Sequence, residues 1–313
     1  MMKSPAVRLN CPACNSPRAT SFCFAVVSPW VTELASESNP QVLEIRECTE
    51  CQTVFSQNGY PATVLEALYK DYRGEQYQKI RQNWEPGYTS TLNSALNGNA
   101  EWMELRQRDI LNALSLAGIE VDEIQTCVDF GGGHGGVMPN FPKRFVFEEN
   151  SQVKDSQELK VIKRWEEVSH LSPDLVMCCG VLEHVNNPIE LVELLKTSNA
   201  KYFYFEVPAG IPPKRFGLLA SRKALKSISR SKITWRLVQR IERKIGSGKL
   251  RKYFPFRISE HLQFFSEDGL NQLILNSDMR VMKISTRRHS AGLDGSENLA
   301  FEHTIGVVAC LRT

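Results

Sequence analysis

The chain has 313 residues, 42% of them hydrophobic and 23% charged, with a formal net charge of +3. This composition is too apolar for intrinsic disorder, and no run approaches the roughly 18 apolar residues that a membrane span needs. One large core with a smaller module beside it is the expectation, and the start Met1-Met2-Lys3-Ser4-Pro5, which lacks an apolar leader stretch, points to the cytoplasm.

Cysteines punctuate the first segment. Cys11-Pro12-Ala13-Cys14 and Cys48-Thr49-Glu50-Cys51 form two CxxC pairs, a spacing at which four thiolates close a tetrahedral zinc site and leave no open coordination position for chemistry. Residues 1–60 therefore read as a zinc-ribbon-like module holding structural Zn2+, with Cys23 as a spare buried thiol. Four basic against five acidic residues make this module a poor surface for phosphates, so nucleic acid is the less favoured partner and a substrate-capping role the favoured one. Residues 61–99 follow as a connecting or capping segment. It opens with a helix over 61–72, with Val64, Leu65, Leu68 and Tyr69 on one face, and continues as a polar stretch over 74–99. Trp102, Leu105, Leu111 and Leu114 then recur at helical spacing until Gly118, a suitable helix stop.

From there short apolar strands alternate with helical crossovers, at 126–131, 144–148, 159–163, 174–179 and 201–207. A helix over 266–276 and strands at 280–286 and 304–311 close the chain. The pattern predicts an α/β, Rossmann-like seven-stranded sheet ending in a hairpin, occupying residues 100–313 with an insertion at 212–258.

The first of these strands runs into Val128-Asp129-Phe130-Gly131-Gly132-Gly133-His134-Gly135. Close glycines let the backbone turn sharply and approach a ligand. Gly131, Gly133 and Gly136 also satisfy the dinucleotide spacing, but a pyrophosphate wants a well-formed helix N-terminus and Pro139 and Pro142 interrupt the next segment. S-adenosylmethionine (SAM) has no phosphate to cradle, so the loop reads as a SAM site with Gly131, Gly133 and Gly135 against the ligand. Asp129 orders the loop or meets the ligand, and Glu148, with Glu149 beside it, ends the second strand where ribose hydroxyls are bound. His134 reads as solvent-exposed, and Cys179, which ends the fourth strand at the same edge, is a further candidate cofactor contact.

Four segments, Val128 to Gly133, Cys179-Gly180-Val181-Leu182-Glu183-His184, Phe205-Glu206-Val207-Pro208 and Ser259-Glu260-His261, resemble the class I SAM-dependent methyltransferases of bacterial polysaccharide and sugar biosynthesis. The resemblance is closest to the group that pairs an N-terminal zinc domain with this fold, including deoxysugar C-methyltransferases. It implies methyl transfer to a sugar or glycan intermediate, nucleotide-linked or lipid-linked. It also implies an acid–histidine pair at Glu183 and His184 for deprotonation, and closure over the substrate by the segment holding Tyr72 and Tyr77. Glu206 faces the same edge as a candidate substrate contact, whereas His261, ahead of Leu262, Phe264 and Phe265, reads as packing.

Residues 214–257 hold fifteen Lys or Arg and one acid, Glu242, while the rest of the chain carries −11. One basic face is expected, and with it an anionic partner. Within it Ile233, Leu237, Ile241 and Ile245, with Trp235 and Val238, form an apolar stripe that is expected to pack on the domain; the alternative is contact with an anionic membrane. Two other functions fit the sequence: an RNA methyltransferase or RNA-binding zinc protein using the basic segment, and a SAM-binding pseudoenzyme.

Overall fold

The protein is described by a computed structural model over residues 10–37, 39–98, 100–148, 153–209, 221–245, 256–288 and 303–312. Two sheets organise it. The cysteine-rich segment forms β1 (Ala19–Val27), α1 (Pro29–Leu34), β2 (Val42–Cys48) and β3 (Val54–Ser56), an antiparallel meander. The segment that follows is helical throughout: α2 (Ala62–Lys70), α3 (Glu75–Trp84) and α4 (Ser90–Gly98). The stretch expected to be merely polar thus contains two helices. Its periodicity is hard to see because α3 buries only Tyr77 and Trp84, too sparse a stripe to stand out among charged residues.

After α5 (Ala100–Leu116) come β4 (Thr126–Phe130), β5 (Lys143–Phe147), β6 (Lys160–Ile162), β7 (Leu175–Cys179), α6 (Pro188–Lys196) and β8 (Tyr202–Pro208). Two-residue alternation divides these strands between two cores. Cys127, Leu175 and Met177 pack with Ile110, Ala113 and Leu114 of α5, while Val128, Val176 and Cys178 pack with Leu191 and Leu195 of α6 on the other face. The basic segment supplies α7 (Arg222–Arg230), α8 (Lys232–Ile245) and β9 (Phe256–Ile258), and β10 (Gln263–Phe264) follows just beyond it. Last come α9 (Glu267–Asn276), β11 (Met279–Arg288) and β12 (His303–Leu311). The larger sheet has the order β11-β12-β8-β7-β4-β5-β6, parallel except for β12, which pairs antiparallel with β8 and with β11. The expected seven strands and closing hairpin are there, and no helix forms between the glycine loop and β5.

The insertion does more than extend the second domain. Its last strand β9 runs parallel to β1, and β10, just after the insertion, antiparallel to β3, so residues near 260 complete the N-terminal sheet as β10-β3-β2-β1-β9. Leu225 and Trp235 join its core with Trp30, Tyr60, Leu68 and Tyr77. This corrects the expectation for the stripe on α8. Trp235 and Gln239 face inward, whereas Ile233, Leu237 and Ile241, on the opposite side of a helix turning about 100° per residue, are 82%, 53% and 40% exposed. The indole, the largest apolar surface on the helix, takes the buried side. The side chain of Ile245 lies outside the described residues, as does Glu149.

Candidate active site and four-cysteine site

Beyond β4 the backbone turns through Gly131, Gly133 and Gly135 at φ of 68°, 55° and 71°, a region costly for any residue with a Cβ. At Gly132 a Cβ would lie 2.2 Å from Asp129 Oδ2. Gly133 N–H donates to Glu148 Oε2 at 3.2 Å, which brings the end of β5 over the loop. Asp129 lies beneath, fully buried, with Oδ1 lacking any hydrogen-bond partner. Burial pushes its carboxyl up to about 7 against the opposing pull of Arg106. Arg106, from α5, donates through Nε at 2.8 Å and through Nη2 to Glu206 Oε1, and the Tyr204 hydroxyl donates to Oε2 at 3.0 Å. Glu206 is therefore held inside as half of a buried ion pair, with both oxygens engaged. Cys179 is half-buried at the end of β7, and burial pushes its thiol well up. His134 is exposed.

The turn after β7 presents a second group. His184 N–H donates to Val181 O at 3.0 Å, and the ring Nδ1 lies 3.1 Å from Glu260 O. A carbonyl only accepts, so Nδ1 carries the hydrogen and Nε2 keeps its lone pair, 3.7 Å from Glu183 Oε1. Burial, and then the neighbouring His261, push His184 down to about 3, so the ring is neutral. Burial pushes Glu183 up to about 8, and its Oε2 has no partner. Tyr69 and His261 meet the His184 ring edge-on at 5.9 and 4.7 Å between centroids, and ligating atoms of Glu183, His184 and His261 all lie within 4.8 Å of one another.

Sequence reasoning misses the group that organises this edge. Glu260 accepts from the Tyr72 hydroxyl at 3.0 Å, from the Tyr77 hydroxyl, and from Arg81 Nη1 at 3.2 Å. Burial alone would raise its carboxyl, but Arg81 and Arg73 outweigh that and hold it down to about 2. Tyr60 donates to Ser259 O at 2.9 Å, Leu262 N–H to Glu183 O at 2.8 Å and Ser56 N–H to Leu262 O at 2.8 Å. One short segment thus ties the N-terminal sheet to the turn after β7. The available signal is Ser259-Glu260-His261 itself, masked by the apolar residues that follow. Arg81, 179 positions away from Glu260 along the chain, has no local signature at all.

The four cysteines converge from the loop before β1 and the β2–β3 turn. Cys11 Sγ lies 3.6 Å from Cys51 Sγ and Cys14 Sγ 3.5 Å from Cys48 Sγ, with all four sulfurs within 4.8 Å. A zinc ion bound at about 2.3 Å to four thiolates has sulfur–sulfur edges of about 3.8 Å, so the set fits. Burial pushes the Cys14 thiol up to about 11, a cost that a bound cation removes. The cluster sits against α9: Ser266 Oγ donates to Cys51 O and Asn276 Nδ2 to Ala13 O at 3.4 Å. Cys23 lies in β1, half-buried and outside the cluster.

Residues 100–284 match the model of a family described as a methyltransferase domain. The chain belongs to that family. It is a SAM-dependent methyltransferase. Solved structures that align with it include magnesium protoporphyrin IX methyltransferase from Synechocystis PCC 6803 with bound SAM, at 7% identity over 79% of this chain and 97% of that one, TM-score 0.40. They also include a SAM-dependent methyltransferase from Archaeoglobus fulgidus, at 12% identity over 75% of this chain and 100% of that one, TM-score 0.37. Among curated proteins none matches.

In this methyltransferase the residues singled out from sequence fall into three places. Asp129 at the end of β4, Gly131, Gly133 and Gly135 in the loop after it and Glu148 at the end of β5 meet at the carboxyl edge of the sheet. Glu183 and His184 share the next edge position with Tyr72 and Tyr77, which reach it through Glu260. Glu206 lies under the sheet edge with Arg106 and opposite Cys179, its register partner on β7.

Proposed function

We propose that this methyltransferase transfers the methyl group of SAM to a sugar or glycan intermediate, nucleotide-linked or lipid-linked, with His184 as the base that takes the acceptor proton. The observation that carries the reading is the placement of the His184 ring, fixed by the Glu260 carbonyl in the Nδ1–H tautomer with the Nε2 lone pair left at the edge of the sheet where α/β folds bind ligands. Burial lowers its basicity in the ligand-free protein, and the Glu260 carboxylate, which pulls the other way, would stabilise the imidazolium as it forms. SAM supplies an electrophilic methyl on a sulfonium, so the protein's work is alignment and removal of a proton. Ionised Asp129, with its unpartnered Oδ1, would receive the ammonium of the cofactor's amino-acid end, and Glu148, held over the loop by Gly133, would accept from ribose hydroxyls. Glu183 would orient the acceptor or the His184 ring. Tyr72 and Tyr77, with the helices of residues 61–99, would close the acceptor side, and Zn2+ held by Cys11, Cys14, Cys48 and Cys51 would keep the N-terminal sheet against α9.

The resemblance of the glycine loop and the Glu183-His184 segment to sugar methyltransferases, together with the basic residues of 214–257, supports an anionic sugar or glycan as acceptor. The test is incubation of the purified protein and labelled SAM with pools of sugar nucleotides and lipid-linked glycans. A mass gain of one methyl group on a sugar-bearing species is expected. Label transfer to RNA with none to either glycan pool would replace this reading with the RNA one.

A further inference from the structure

We infer that the outer face of α8 is a docking surface for an anionic phospholipid bilayer. Ile233, Leu237 and Ile241 lie at successive four-residue steps and are 82%, 53% and 40% exposed. Among the described residues the large apolar side chains this exposed are Leu116, Val121 and Leu194 besides these, and only the α8 trio forms a stripe. Arg236 and Arg240, also exposed, fall between them on the same face, because at about 100° per residue positions 233, 236, 237, 240 and 241 occupy one side of the helix. Trp235 and Gln239, on the other side, anchor α8 to the N-terminal core, and Arg236 donates to Asn83 O at the end of α3, so the exposed face is not free to roll inward. Beside it α7 exposes Arg222, Lys223, Lys226 and Arg230.

Charge chooses the occupant. The segment carries fifteen basic residues against one acid on a chain that is otherwise net acidic, so the complementary surface is strongly anionic. The apolar residues choose further. A polyanion such as RNA gives Ile233 and Leu237 nothing to bury against, whereas a bilayer buries them at the boundary of headgroups and acyl chains while the arginines stay among phosphates. An interleaved apolar and basic face is what such an interface requires. The same insertion contributes β9, which pairs with β1 of the N-terminal sheet. The inference stands on exposure and charge, independently of which acceptor is methylated.

The experiment is flotation of the purified 313-residue protein with vesicles of phosphatidylcholine alone or with about a third phosphatidylglycerol, at low and raised salt. Binding is expected only to the anionic vesicles, and I233S/L237S is expected to lower the partition coefficient about 100-fold, from two aliphatic side chains each worth about ten-fold or more when buried. R236E/R240E should lower it as well. I233S/L237S alters exposed positions only, so its SAM affinity and circular dichroism serve as the check that it is folded. The inference is overturned if the protein ignores anionic vesicles or binds both compositions equally. It is equally overturned if I233S/L237S binds as tightly as wild type, which would leave a purely electrostatic surface of the kind RNA uses, or if the stripe proves to be covered by a second copy in a stable dimer that I233S/L237S dissociates.

Discussion

Asp129→Asn should make the protein more stable and less able to bind its cofactor. The carboxyl is 1% exposed, and burial moves it from 3.8 to about 7. For an acid, a raised folded-state value means that the folded chain holds its proton more tightly than the unfolded one. The stability associated with this group is therefore full below about pH 4, declines as pH rises from 3.8 to about 7, and is lowest above that. At about 1.4 kcal/mol per pH unit, this interval puts the cost of the ionised form at about 4 kcal/mol. The amide introduced by Asp129→Asn keeps an unpaired polar atom in place of Oδ1, which returns about 1–2 kcal/mol of that, leaving a gain of about 2–3 kcal/mol for the ligand-free variant. At about 2–4 °C per kcal/mol for a chain somewhat shorter than this one, melting at pH 8 should rise by roughly 5–10 °C. Saturating SAM should raise the melting temperature of wild type but hardly that of the variant, since loss of a charge-assisted hydrogen bond costs about ten- to a hundred-fold in affinity. Differential scanning fluorimetry and calorimetric titration at pH 8 read both. A ligand-free variant that melts at or below wild type, or one that binds SAM as tightly, would refute the assignment of a strained, ligand-facing carboxylate.

Four further outcomes follow from the geometry. If the four cysteines hold zinc as proposed, the purified protein should contain it stoichiometrically by elemental analysis, and Cys48→Ser should remove it and lower the melting temperature, because an ion there would tie the cysteine loops that pack on α9. Glu260→Gln should destabilise by about 3 kcal/mol at pH 7, from a carboxyl lowered from 4.5 to about 2. That contribution is present above 4.5 and lost as pH falls toward 2, so the gap in urea midpoint between wild type and variant should narrow at pH 3. Arg106→Met should cost about 3–5 kcal/mol by leaving Glu206 buried without its partner, and the double variant R106M/E206Q should recover most of this in urea unfolding. Gly135→Val should eliminate SAM binding, read by calorimetric titration, since a Cβ there would lie 2.9 Å from Leu159 Cδ2 at a φ of 71°.

What the sequence reveals and what it hides have a common physical basis. The larger sheet is legible because each of its strands carries its own signal, a short apolar run bounded by turns, and because the glycine loop and the two CxxC pairs are dense in sequence as well as in space. The polar helices α3 and α4 escape because α3 buries only Tyr77 and Trp84, and α4, with Asn93 as its buried residue among those described, has little apolar periodicity. β9 and β10 are three and two residues long and owe their existence to partners more than 200 positions away, which no local pattern encodes. His184 stands out because it sits in a contiguous motif. Glu260 does not, although it anchors Tyr72, Tyr77 and the ring of His184, because its partners come from separate elements. The stripe on α8 misleads for a different reason: its amphipathic spacing is real, and only the docking of Trp235 decides which side of the helix faces water.

The central proposal, a SAM-dependent methyl transfer in which His184 takes the acceptor proton, is tested most directly by single-turnover transfer of labelled methyl to whichever acceptor the labelled-SAM screen finds, in wild type and His184→Asn side by side with SAM titration. The expected result is unchanged SAM affinity with a transfer rate lowered about 10²- to 10⁴-fold in the variant. Transfer at the wild-type rate by the variant would contradict it.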